Sequence, residues 1–509
     1  MKIFYVAVLM LLIGCKEEPE IVIKNDKIYT SLEKALENKK EVFLLDLSNQ
    51  DLTELPASVG ELKNLEVLNL SLNKLTELPR SIGKLENLHV LDLGWNQFDH
   101  LPKVVCNLKK LQDLNLDRNS LTALPKWIGK LKNISNLSVE QNRLGKLPVK
   151  ITLLSQLSTL DLDWNNITEL PEAIGDLKNL SILELRGDSL RKLPESFGAL
   201  RALKECYLTQ SELTYLPESF GNLSQLKTLI LANTEFTIFP EPICELENLE
   251  ELDFMFTKLA HLPNTISNLK TLKTLGLIGV DLEELPESIG GLTSLQNIKL
   301  KDNDLTHLPE SFGNLDALET LNLISNKIVE LPESFGNLNS IKEINLSSNQ
   351  LIRLPESIGD LINLEILDLK KNKLTELPES FGKLVSLQEL SIEKNDITKL
   401  PESFGSLSNV LKINLSENMI SELPKSIGDL KNLEYLDLFG NRLYELPVTI
   451  GELTSLKTLD MSSNWLNKLP ISIGKLTNLE KLDIARNELS DLEKNRVSKL
   501  FVEDIIIDE

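Results

Sequence analysis

The sequence predicts an α/β solenoid in which one short strand-and-helix unit is copied along an axis, and three observations carry that expectation. Nineteen of the 21 prolines recur every 23 residues without a slip, from Pro56 through Pro79 and Pro102 to Pro470. Each sits in the same run, as in Leu354-Pro355-Glu356-Ser357-Ile358-Gly359, followed by Leu361, Leu364, Leu367, Leu369 and Asn372. Within that run, Leu364-Glu365-Ile366-Leu367-Asp368-Leu369 alternates, with Leu367 and Leu369 inward and Ile366 and Asp368 outward. That is the period-2 pattern of a short strand. A strict period of this length means stacked copies, each burying its apolar face only against its neighbours.

The elements follow in chain order. Residues 1–14 read as a signal peptide: Lys2, an apolar run from Ile3 to Ile13, then the small Gly14. The run is too short to span a bilayer, which takes about 20 residues of helix, and suits an export signal. Leu12-Ile13-Gly14-Cys15 resembles a bacterial lipobox, which implies cleavage before Cys15 and lipid on its thiol. Cys15-Lys16-Glu17-Glu18 is similar to the tag of surface lipoproteins in Bacteroidota. The expected location is the bacterial outer membrane, lipid-anchored and exposed at the cell surface. Residues 15–27 form a tether and 28–41 an N-terminal cap, where Thr30-Ser31-Leu32-Glu33 reads as a capping box opening a helix through Ala35 to about Asn38. Residues 42–489 hold about 20 repeats of 23 residues, and Val42 to Leu47 starts the sheet. Residues 490–509 close the array: Ser490-Asp491-Leu492-Glu493 opens a helix to Leu500, and Val502 to Ile507 is extended. Glu493 stands where proline would recur, as suits an atypical terminal unit.

In each repeat the strands stack into a parallel sheet, and Pro-Glu-Ser-Ile/Phe-Gly returns the chain as a short α- or 3-10 helix. Between strand and return stands an asparagine: Asn73, Asn96, Asn119, Asn142, Asn165, then Asn303 and every 23rd residue to Asn487. An inward-folded turn buries backbone groups that an amide, both donor and acceptor, can satisfy. Stacked, these residues form a ladder. The pattern resembles the leucine-rich-repeat family over residues 41 to 489. Its Leu-Pro-x-x-Ile-Gly-x-Leu form is similar to plant Ras-group repeats and to the Ras-pathway scaffold repeats of animals. The resemblance implies a horseshoe with a concave parallel sheet and convex short helices.

Composition narrows the function. A net charge of −22 argues against nucleic acid and anionic lipid surfaces. At 5% aromatic residues, the interior is expected to be filled by leucine. Cys106 and Cys244 take a slot that elsewhere holds glycine and lie six repeats apart, about 30 Å at strand spacing, too far to bridge. Cys206 replaces a core leucine. His100, His261 and His307 share one loop slot and do not converge as metal ligands would. The Gly-Lys pairs at Gly83, Gly129, Gly382 and Gly474 lack the spacing of a phosphate loop. No catalytic set, metal site or cofactor is expected.

The repeat breaks its own rule in one place. Five successive units replace the asparagine with Asp188, Ser211, Thr234, Thr257 and Val280, of which only Val280 lacks any hydrogen-bonding group. In the same region the outward strand slots supply Tyr207, Ile230, Met255 and Ile278, with Phe256 beside them and Arg186 and Lys299 at the flanks. At sheet spacing these fall within about 15–20 Å. An apolar group rimmed by charge on a polar surface marks a contact site. Trp95 and Trp164 share a slot three repeats apart, and Tyr435 with Phe439 forms a smaller cluster. The sequence therefore reads as a monomeric, non-enzymatic, lipid-anchored protein that binds another protein on its concave face. Two alternatives stay open: a cytoplasmic Ras-scaffold-like adaptor, and an envelope structural or glycan-binding protein.

Overall fold

The computed structural model describes residues 27–501 and 505–506. The signal peptide, Cys15 and all but the last residue of the tether lie outside the described residues, as does part of the C-terminal extended stretch. Among the described residues no helix is long and apolar enough to cross a membrane.

Two compact units divide the chain, Met1–Phe254 and Met255–Glu509. In the first, Ile28–Tyr29 pairs in parallel with Leu44–Asp46, and each three-residue strand then pairs with the one 23 residues on, as far as Glu251–Asp253. In the second, the same parallel pairing runs from Thr274–Gly276 to Lys481–Asp483 and ends on Ile505–Ile506. The register follows the proline period. Ile344 pairs with Leu367 and Leu367 with Leu390, so one inward slot is filled by the same kind of side chain in successive repeats.

Inward strand positions are closed to water, as at Leu364, Leu367 and Leu369, while Ile366, Asp368 and Lys370 face outward. At the start of the first unit the outward positions hold Leu44, Val67 and Val90, which bury against one another together with Ile28. The return segments are 3-10 helices, mostly of five residues, as in Glu379–Lys383. Proline precedes them as the cap: Pro378 has φ −66°, and its carbonyl accepts from the Phe381 N–H at 3.0 Å. Proline's fixed φ suits that place, and its missing N–H leaves nothing unpaired there. The glycine that follows allows close approach, since a Cβ on Gly405 would lie 2.2 Å from the Ser426 carbonyl oxygen.

Leucine does not fill the interior alone. Phenylalanines in the isoleucine slot stack between adjacent repeats, Phe197 on Phe220 at 5.7 Å and Phe381 on Phe404 at 6.2 Å between ring centroids. Few aromatics are needed when they fall in one slot and meet face to face. The helix side also carries an asparagine row that the sequence reading missed. Asn64, Asn87, Asn133 and Asn179 in the first unit, and Asn363, Asn409, Asn432 and Asn478 in the second, each donate to the carbonyl 24 residues back. The signal for it was the asparagine in Leu62-Lys63-Asn64-Leu65 and its counterparts.

A short helix stands near each end of the described residues, and the N-terminal one corrects the expected capping box. The N-terminal helix runs Leu32–Glu37, and Ser31 caps it by accepting from the Lys34 N–H at 3.4 Å. The helix thus starts one residue later than a Thr30–Glu33 capping box requires, which puts Lys34 rather than Glu33 in the third position. The C-terminal helix runs Asp491–Ser498 with Ser490 as its cap. Glu493, in the proline slot, accepts the Leu469 N–H at 2.8 Å, and Arg496 donates to the Leu469 carbonyl.

Candidate functional site

The ladder asparagines work as their chemistry suggests. The Asn372 amide donates to the carbonyls of Leu346, Leu369 and Lys370 at 3.0, 2.9 and 3.4 Å. Its oxygen accepts from the Leu351 N–H at 3.0 Å. In the broken stretch this satisfaction declines. Asp188 accepts from the Asn165 and Ile167 N–H groups through Oδ1, while buried Oδ2, in the place of the amide nitrogen, has no partner. Ser211 is buried with its hydroxyl unpaired, although its chemistry would allow a bond. Thr234 donates to the Leu231 carbonyl at 2.6 Å. The Val280 side chain contributes nothing, but its own N–H is taken up by Asn303 at 3.2 Å.

Immediately before each ladder position the chain takes a left-handed turn. Glycine fills that place at Gly187, Gly279 and Gly440, but bulky residues hold it at Leu72, Trp95, Trp164 and Phe256, with φ between 54° and 58°. Such a conformation costs an L-residue about 1–2 kcal/mol, and it holds these side chains out into solvent. Trp95, Trp164 and Phe256 are 52%, 47% and 52% exposed. Two of them lean toward the next repeat. A Cβ on Gly187 would lie 2.3 Å from the Trp164 indole, and one on Gly279 would lie 2.9 Å from the Phe256 ring. The Arg118 guanidinium lies 4.3 Å over the Trp95 ring. Only the recurrence of glycine at 187, 279 and 440 hinted at this turn in the sequence.

The expected contact residues are distributed over both units. In the first, Tyr207 and Ile230 are half-buried outward strand residues in register with each other. The Tyr207 hydroxyl donates to Glu205 at 2.7 Å, and the Arg186 guanidinium lies 4.3 Å over its ring. Burial first, then the Glu205 carboxylate, pushes the Tyr207 phenol up. Arg186 is engaged, donating to Asp163 at 3.0 Å and pairing with Glu184 at 2.8 Å. In the second unit Phe256 is exposed, Met255 and Ile278 are half-buried, and Lys299 is exposed. Cys106, Cys206 and Cys244 are buried and in no disulfide among the described residues, and burial pushes the Cys206 thiol up.

The first unit also holds a row of crowded carboxyls. Carboxylate oxygens of Asp161, Asp163 and Glu184 lie within 4.8 Å of one another, with Arg186 bridging the last two. Burial, then the charges of Asp163 and Glu184, pushes Asp161 up to about 8. Burial raises Asp163 to about 6 against the opposing pull of the Arg186 N–H and guanidinium. Burial likewise raises Asp117 to about 7 and Asp92 to about 6, despite hydrogen bonds from Ser138 and the Glu140 N–H to Asp117 and from the Gly94 N–H to Asp92. The slots of these carboxyls were legible in the sequence; their desolvation was not.

The leucine-rich repeat region model matches residues 34–119, 151–259, 205–300, 263–353, 335–414 and 410–501. A search of curated proteins returned no match. Among solved structures, a leucine-rich-repeat protein of Leptospira interrogans is 34% identical, covering 94% of this chain and 99% of that one, with a TM-score of 0.58. The plant peptide hormone receptor RGFR1, solved in complex with RGF2, is 27% identical over 94% of this chain and 88% of its own, with a TM-score of 0.66. The Arabidopsis receptor kinase HAESA, solved with the peptide hormone IDA and the co-receptor SERK1, is 28% identical over 91% and 89%, with a TM-score of 0.58. With the family model matched along most of its length, this chain belongs to the leucine-rich-repeat family.

Proposed function

We propose that this is a non-enzymatic binding protein that takes a protein partner on the solvent face of its sheet, the face read from the sequence as concave. The observation that carries the reading is the set of bulky aromatics held outward in left-handed turns, Phe256 above all, where glycine would cost less. The same turn carries polar residues such as Arg118, Gln141 and Lys371 in other repeats, so an exposed ring there is consistent with selection for contact rather than for folding. Similar receptors of plants are solved with peptide hormones bound, which supports the same use of the fold. Contacts are assigned to Arg186, Tyr207 and Ile230 on the first unit, and separately to Met255, Phe256, Ile278 and Lys299 on the second. The protein works as a monomer and without a cofactor. Its N-terminus is cut before Cys15 and lipidated, placing the chain at the bacterial outer membrane.

Partner capture by the full-length chain tests the binding role. Tyr207→Ala or Phe256→Ala should weaken capture about thirtyfold, as loss of an aromatic anchor does, with circular dichroism unchanged. Asp368→Ala, on an ordinary repeat, should change little. Equal losses at all three would remove the special status of these residues. Incorporation of labelled fatty acid that is lost in Cys15→Ala tests the anchor; incorporation unchanged in that variant would contradict it.

A further inference from the structure

On the first unit the outward positions bring together two features that the assigned contacts do not use. One is exposed aromatic surface: Trp95 and Trp164, three strands or about 15 Å apart at sheet spacing. The other is the carboxyl row between and beside them. Asp92, Asp117 and Asp161 have no salt bridge among the described residues. They rest on a few neutral donors: the Gly94 N–H for Asp92, Ser138 and the Glu140 N–H for Asp117, and the Asp163 N–H for Asp161. The cations in this row are Arg118, spent on one carboxylate and a ring, Glu140 and Trp95, and Arg186, spent on two carboxylates and a ring, Asp163, Glu184 and Tyr207.

A crowd of buried and half-buried carboxylates with too few cations is costly to keep ionised. A ligand that brings cations would relieve it, and flat apolar surface beside the row would hold that ligand's uncharged parts. We propose that the first unit's sheet face, from Trp95 to Tyr207, docks an extended protein segment rich in lysine or arginine, with cations in the carboxyl row and apolar groups on the two indoles. This deepens the protein-binding reading and rests on it.

The proposal has a pH signature. Asp161 faces Asp117 and Ser138 on one side and Asp163 and Glu184 on the other; Asp163 faces Glu140, Glu184 and Arg186. These carboxyls sit between about 6 and about 8, so cation binding must draw protons off them and should tighten as pH rises from about 5.5 to 8.5.

The probe is a fluorescein-labelled (Lys-Leu-Gly)4 peptide, followed by anisotropy with the full-length chain. Affinity should rise about tenfold across that pH range. Asp161→Asn with Asp163→Asn should weaken binding about tenfold at pH 8 and flatten the pH profile, and Trp164→Ala should weaken it about fivefold. Exposed Glu333, Glu356 and Glu379 changed together to Gln remove more charge elsewhere and should cost less than about twofold. If that control loses as much as the row variants, the peptide answers only to net charge and the proposal falls. It falls equally if the wild-type profile is flat. Should the double variant melt early, Trp164→Ala and the wild-type profile still decide. Partner capture that depends on Phe256 alongside a basic peptide that ignores the row would sink this inference and leave the binding reading standing.

Discussion

The two units are built from one repeat yet treat their outward carboxyls differently. In the first, Asp92, Asp117, Asp161, Asp163 and the ladder residue Asp188 are all pushed up, to between about 6 and about 8, with burial the leading cause. In the second, among the described residues, only the Asp437 carboxyl is likewise raised by burial, and elsewhere lysines answer the acids. Burial pushes Glu393 up, but Lys370 at 2.7 Å and Lys394 outweigh it and leave that carboxyl below its ordinary value. Lys394 also reaches Glu417 at 2.8 Å. The difference shows that a repeat scaffold fixes where an outward side chain sits while leaving its electrostatics to the choice of a few neighbours. Where lysines stand beside the acids the surface is paired within itself; where they are missing, it favours a cation from outside.

The ladder offers the largest effect with which to sharpen the contrast. Asn372→Ala leaves the Leu351 N–H unpaired and removes one of two donors from each of three carbonyls, and should cost about 1–3 kcal/mol in denaturant unfolding. Val280→Asn should be far milder or stabilising, because Asn303 already takes up the Val280 N–H. Equal losses would mean that the broken stretch is not relaxed to its missing amides.

Asp188 gives the next effect and its sign is definite. Its carboxyl is raised to about 7 from an ordinary 3.8, so the folded chain holds a proton there that the unfolded chain has lost. Stability from this group is full below about pH 4 and is lost as pH climbs through about 7. Asp188→Asn supplies the missing donor and should stabilise by about 1–2 kcal/mol at pH 8, with a smaller gain at pH 5. A loss of stability at pH 8 would contradict the assignment of Oδ2 to the amide's place.

Phe256→Gly should come next. Glycine accepts the left-handed turn, so the fold should hold or gain up to about 1 kcal/mol, while partner capture falls. Destabilisation with capture intact would show that the ring serves the fold. The smallest effect belongs to Glu393→Gln, about a few tenths of a kcal/mol, since its lysine partners are partly exposed and screened by solvent. Its sign opposes that of Asp188: a lowered carboxyl stabilises above its unfolded value and loses that contribution as pH falls.

Much of the fold was legible because burial is periodic. The proline spacing gave the register, the leucines gave the inward face, and asparagine gave the ladder. What escaped depends on distances between repeats rather than on letters within one. The helix-side asparagines bond 24 residues back, so no single repeat displays their purpose. Arg186 looked like a rim charge, yet Asp163, Glu184 and Tyr207 already engage it. Trp164 looked like an isolated aromatic until Gly187, in the same slot one repeat on, proved to leave room for its ring. The carboxyls stood in plain view at their slots, but desolvation comes from packing, which composition does not record.

Hydrogen exchange read by mass spectrometry at pH 8 and pH 5.5, corrected for intrinsic rates, tests the contrast between the units most directly. The account predicts that acidification raises the protection of amides in residues 90–190, by about 1 kcal/mol or more in opening free energy. Residues 320–420 should stay level or lose slightly. Protection that moves together in both stretches, or that falls in 90–190 on acidification, would contradict it.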